Sequence, residues 1–92
     1  MACRVLEQSA LELIWKGVER IAEVTDNEIA DTMRMLYECN HNVCEGAGVT
    51  AIAAALQEAP KIKGQKVAVI ASGGNVDRDV FAAILKGETF VL

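Results

Sequence analysis

Residues 67–71 read Val-Ala-Val-Ile-Ala and run straight into Ser72-Gly73-Gly74-Asn75-Val76-Asp77. A continuous apolar stretch, cut off by a serine and two glycines and then by residues that open helices, suits a strand buried on both faces. Such strands belong to parallel sheets covered by helices. In open parallel sheets, ligands gather beyond the carboxyl ends of the strands, which is where Ser72 and the glycines would stand. A serine hydroxyl offers a neutral hydrogen-bond partner, and glycine lets a ligand come close to the backbone. Many α/β loops share this pattern, so it does not specify a ligand on its own.

The flanking sequence supplies the helices. Ser9 with Glu12 has capping-box spacing and predicts a helix from about Ala10, with Leu11, Ile14, Trp15 and Val18 on one face and Gly17 as its end signal. Residues 20–24 read best as a short strand. Thr25 with Glu28 repeats the capping box ahead of Ile29, Met33 and Leu36, and that helix runs out near Asn40. A third helix starts around Gly48, carries Val49, Ile52, Ala53 and Leu56 on one face, and is rich in alanine, which favours helix and close packing. Pro60 and Gly64 bound a loop before the apolar run, and a last helix covers about 76–85 and is closed by Gly87. The expected fold is therefore α/β: one domain over residues 1–92, a small mostly parallel sheet with flanking helices, in the order α-β-α-α-β-α. Trp15 and Tyr37 sit at helical spacing among aliphatic neighbours, as core or interface residues do.

A second segment makes the reading specific. His41-Asn42-Val43-Cys44-Glu45-Gly46-Ala47-Gly48-Val49-Thr50-Ala51 precedes the apolar run by about one helix. Together with the Ser-Gly-Gly-Asn turn it resembles the carboxy-terminal part of the threonine dehydratase and serine racemase family, pyridoxal-phosphate (PLP) enzymes of the tryptophan-synthase-β fold, fold type II. The resemblance covers roughly residues 9 to 86. It implies that Glu45 and Gly46 approach the cofactor ring, that Ser72 hydrogen-bonds the pyridine nitrogen, and that Gly73 and Asn75 belong to the same turn. The cofactor-binding positions expected by resemblance are thus Glu45, Gly46, Ser72, Gly73 and Asn75. A hydroxyl at the pyridine nitrogen, unlike an aspartate, does not hold it protonated and moderates the cofactor as an electron sink.

The same resemblance carries a Ser-x-Lys segment for the Schiff-base lysine and a glycine-rich loop for the cofactor phosphate. Lys16, Lys61, Lys63, Lys66 and Lys86 stand in no such context, and Gly73-Gly74 is the sole glycine pair. The expectation is a partial lyase-like domain that is not an enzyme on its own, with no catalytic residues and no cofactor in the isolated chain although PLP serves the parent family. It would act as a non-catalytic remnant in an interaction or structural role. Two alternatives stay open: a small-molecule module for a pyridoxal-like or anionic ligand, and the carboxy-terminal piece of a split amino-acid ammonia-lyase. Glu45 also has a plainer role, satisfying the free amides and dipole at a helix start. Ser72 likewise can cap the turn that follows it.

Cys39, His41 and Cys44 fall within six residues, but structural zinc takes four ligands, usually in paired elements; an incidental loop is the expectation, with no metal. A net charge of −4 and no basic cluster argue against nucleic acid. No run is long and apolar enough to span a membrane. Three cysteines without a secretory signal point to reduced thiols in a cytoplasm. A domain of this size buries only roughly 60–65% of its unfolded surface, and a detached piece exposes more, so a homodimer or larger homo-oligomer is expected. The apolar tail from Thr89 to Leu92 would be a means of pairing, and a separately encoded amino-terminal enzyme fragment is the other candidate partner.

Overall fold

The computed structural model describes residues 5–89 and contains five helices among them: α1 (Gln8–Gly17), α2 (Asp26–Asn40), α3 (Gly46–Gln57), α4 (Ala59–Ile62) and α5 (Arg78–Leu85). α2 organises the rest. Thr25 accepts a hydrogen bond from the Glu28 amide (3.2 Å), and the Glu28 carboxylate accepts one from the Thr25 amide (2.7 Å). This is the capping box expected from the sequence. One face of α2 buries Ile29, Ala30, Met33 and Leu36, against Val49 of α3 and Ile84 of α5. Val24, Cys44, Ile52, Val76 and Phe81 pack around this cluster. Met33, Val49 and Ile84 are essentially sealed from water.

The far end of α2 turns at His41, in the left-handed region at φ 60°. α5 ends on Gly87 at φ +98°, with the Glu88 amide donating to Ala83 O (3.0 Å) and the Gly87 amide to Ile84 O (3.0 Å). That is a Schellman ending, and only a residue without Cβ adopts its geometry freely. Arg34, on α2, donates to Ile84 O (2.8 Å) and Glu88 O (3.2 Å), so it fastens the same end of α5 to the core helix.

The expected parallel sheet is absent: no strand occurs among the described residues. Residues 20–24 and 67–71 carry no regular secondary structure. The first is held by side chains, with Arg20 paired to Glu58 and Gln57 donating to Glu23 O (2.9 Å). The second is anchored beyond its end, where the Ser72 amide donates to Gly48 O (3.1 Å). The physical reason is that a strand exists only through its neighbour. The two short segments are tied to opposite ends of α3, at Gln57 and at Gly48, and share no backbone hydrogen bond; sheets of fewer than three strands are marginal in water. Instead of being buried on both faces, Val67, Val69 and Ile70 are exposed, Ile70 by 80%.

The helices differ from the expectation in smaller ways. α1 starts at Gln8 behind Glu7, so Ser9 lies inside the first turn and bonds back to Glu7 (3.0 Å) rather than capping. α1 buries no residue, and Trp15 is exposed. α3 starts two residues earlier than expected, at Gly46, and α5 two later, at Arg78. The expected pairing of the tail falls on residues 90–92, outside the described residues.

Candidate functional site

The two glycine-bearing segments meet. The Glu45 amide donates to Gly73 O (3.2 Å) and the Ser72 amide to Gly48 O (3.1 Å), so the turn is stitched to the first turn of α3 from both sides. Glycine at two positions makes the approach possible. A Cβ on Gly48 would run into Ser72 O and stand 2.7 Å from Gly73 O. Gly73 has φ +72°, and a Cβ there would run into the Glu45 carboxylate, whose carbon lies 2.9 Å from that point. Gly74 is close as well, its Cβ position lying 3.0 Å from Val43 O. Two stretches about 25 residues apart are therefore shaped to each other at backbone level.

Glu45 occupies the N-cap position of α3, yet its side chain makes no capping bond; its backbone carbonyl accepts from the Gly48 amide (2.9 Å). The carboxylate instead covers Gly73. The plainer capping role is thus performed by the main chain of Glu45, and the carboxylate is turned to the turn. The Ser72 side chain has no hydrogen-bond partner among the described residues, and residues 71–75 are exposed. A cavity of about 290 Å³ opens beside this junction, lined by Glu45, Gly46, Ala47, Asn75, Val76, Asp77 and Val80. Of the five expected site residues, Glu45, Gly46 and Asn75 line the cavity, while Ser72 and Gly73 form the stitched wall beside it.

Gly48, Asp77 and Val80 were not singled out as site residues from the sequence. The signal for Gly48 was available: a second glycine inside the first turn of an alanine-rich helix weakens the helix and has a reason to be there only if something comes close. Cys39 is exposed and Cys44 half-buried, both unpaired, and the described residues contain no group of three or more metal-ligating side chains. A larger hollow, about 370 Å³, lies along the α2–α3 seam between Glu28, Asp31, Met35, Leu56 and Gln57 and touches none of the motif residues. Its walls are those of a helix–helix groove.

The model of the pyridoxal-phosphate dependent enzyme family matches residues 1–73. The chain belongs to that family. Its relatives include an L-threonine ammonia-lyase of Thermotoga maritima, 40% identical over 74 residues, covering 80% of this chain and 18% of the relative. An L-threo-3-hydroxyaspartate ammonia-lyase of a Pseudomonas species is 35% identical over 75 residues, covering 82% and 24%. A serine racemase of Oryza sativa subsp. indica is 40% identical over 68 residues, covering 68% and 20%. The chain therefore spans about a fifth of the length of these curated relatives. No solved structure gives a significant match. Among the described residues, no helix is long and apolar enough to cross a membrane.

The residues present fit one end of pyridoxal phosphate. Ser72 offers an unbonded hydroxyl, Gly73 a bare backbone face, and Glu45 a carboxylate next to both. They do not fit the phosphate end. The cavity carries two carboxylates, Glu45 and Asp77, and no cation, a lining that repels a phosphate.

Proposed function

We propose that this chain carries the ring-facing part of a pyridoxal-phosphate site of the kind that acts on 3-hydroxy amino acids, and that by itself it binds a pyridine ring without turning over an amino acid. The observation that supports this is the double stitch between the α3 start and the Ser72–Gly74 turn, which brings Glu45, Gly46, Ser72 and Gly73 to one place. Threonine, 3-hydroxyaspartate and serine, the substrates in the relatives' names, share a hydroxyl on the β-carbon. That common feature defines the substrate class.

Each residue has a definable part. The Ser72 hydroxyl would hydrogen-bond the pyridine nitrogen without imposing a charge on it. Gly73 would let the ring lie close to the main chain, and Glu45 would fix the edge of the turn and keep water from it on one side. Pyridoxal phosphate, when bound, supplies an electron sink for loss of a β-substituent. The nucleophilic lysine for that chemistry and the cations for the phosphate must come from outside this set, because none of the lysines lies in a Ser-x-Lys context.

Pyridoxine is the suitable probe, since it has the ring but neither aldehyde nor phosphate and does not react with exposed lysines. Titrating it into the labelled chain should shift the amide resonances of Glu45, Gly46, Ser72 and Gly73. Gly73→Val should abolish the shifts, because a β-branched residue resists φ +72° and its side chain would displace Glu45. Shifts confined to other residues, or ammonia release from threonine by the chain with pyridoxal phosphate alone, would overturn the reading.

A further inference from the structure

Glycine is bare in one direction only, the one in which a Cβ would project, and at Gly73 that direction is already taken. The carboxyl carbon of Glu45 lies 2.9 Å from the Cβ position and its Cγ 3.4 Å. On its other sides Gly73 is no barer than any other residue. A ring that uses the missing Cβ must therefore come to the spot that the Glu45 carboxylate occupies. Non-bonded heavy atoms keep about 3.5 Å apart, so ring and carboxylate cannot share it. They compete.

The carboxylate has a second place to go. Glu45 is the N-cap residue of α3 and has the extended backbone of such a residue, φ −72° and ψ 162°, yet its side chain makes no capping bond. Its carbonyl accepts from the Gly48 amide, while the amides of Gly46 and Ala47 have no acceptor among the described residues. These amides stand at the positive end of a 12-residue helix, which favours a carboxylate. Side-chain rotation alone can reach them, so the Glu45–Gly73 and Ser72–Gly48 bonds stay in place. The cavity beside the junction is lined by Glu45, Gly46 and Ala47 and leaves room for the swing.

We propose that Glu45 gates the ring-facing turn: its carboxylate closes the bare face of Gly73 in the free chain, and an arriving pyridine ring turns it onto the amino-terminal amides of α3. The gate rests on the ring-binding reading of the site. Pyridoxine titrations followed by amide resonances test it. With the gate closed about nine-tenths of the time, about a tenth of the chains can bind, and Glu45→Ala should tighten pyridoxine binding about tenfold. Glu45→Asp draws the carboxylate back by one carbon, is a preferred N-cap, and should tighten binding as well. Glu45→Gln keeps the length but loses the charge that the helix end attracts, and should bind more weakly than wild type. In the wild-type chain, the nuclear Overhauser contact between the Glu45 γ-protons and the Gly73 α-protons should be present without ligand and lost with it. The Ala47 amide proton should move downfield at the same time, as it gains an acceptor. Shifts at Ser72 and Gly73 that need more pyridoxine in Glu45→Ala and Glu45→Asp, or a Glu45–Gly73 contact that survives saturation, would overturn the gate and leave the ring site standing. No shift at Ser72 and Gly73 in wild type or any variant would remove the ring site, and the gate with it.

Discussion

Gly48→Ala sets helix propensity against docking, and the two can be weighed. Within α3 alone the substitution would stabilise by about 1 kcal/mol. The added methyl, however, meets Ser72 O, Gly73 O at 2.7 Å and the Ser72 carbonyl carbon at 2.9 Å, all backbone atoms with no rotamer to escape into. Keeping the turn in place would then cost about 1–3 kcal/mol of overpacking. Letting it lift away breaks the Ser72–Gly48 and Glu45–Gly73 bonds, each worth about 1 kcal/mol net. After the propensity gain, either route leaves a net loss of about 1 kcal/mol. Urea denaturation reads that total, but amide exchange is the sharper assay. Loss of about 2 kcal/mol of local bonding should speed exchange at Ser72 and Glu45 roughly 30-fold. Gly17→Ala, with open space around its Cβ position, is the control and should change neither amide. A Gly48→Ala chain that is more stable than wild type, with unchanged exchange at Ser72, would refute the docked turn.

Other perturbations test the scaffold. Met33→Ala empties a sealed position between three helices and should cost about 2–5 kcal/mol by urea midpoint. Arg34→Ala removes donors to Ile84 O and Glu88 O and should cost about 2 kcal/mol; Arg34→Lys should restore only part of it, for want of the planar fork. Acid should erode the fold in a predictable direction. The Thr25 backbone amide foremost, with Gln57 and the Thr25 hydroxyl, holds the Glu28 carboxyl below its ordinary 4.5, and the Arg20 guanidinium does the same for Glu58. The unfolded chain therefore takes up these protons first, so stability present above about pH 4.5 declines as pH falls through the lowered folded values. Urea midpoints measured from pH 6 to pH 3 should fall, and Glu28→Gln should flatten part of the fall.

What the sequence made legible follows the range of the interactions concerned. α2 was readable in both ends and buried face because its signals are local: a capping box, an i, i+4, i+7 stripe of Ile29, Met33 and Leu36, and a chain that runs out at Asn40. α1 was readable as a helix but not in its start, since Ser9 and Glu12 fit a capping box that Glu7 pre-empts by two residues. The sheet was misread for a different reason. An apolar run such as 67–71 states that the segment is extended and wants cover, but its hydrogen bonds depend on chain elsewhere. At the site, the pairing of the two glycine segments was legible through resemblance. The identity of Gly48 as the contact point was not weighed, because it depends on a carbonyl some 24 residues away.

The helix contacts have a consequence for how the molecule melts. α2 lies against both α3 and α5, and α3 against α4, whereas α1 touches no other helix. Cooperativity travels through packed neighbours, so α2, α3 and α5 form one unit that is lost together. α1, at 10 residues, is below the roughly 12–15 residues at which an isolated helix holds in water. Its contribution to ellipticity should fade gradually on warming, ahead of a sharp step from α2, α3 and α5. The heat-stable entity is then a three-helix wedge hinged on α2, to which the ring-facing turn is attached and from which the amino-terminal helix is thermally uncoupled.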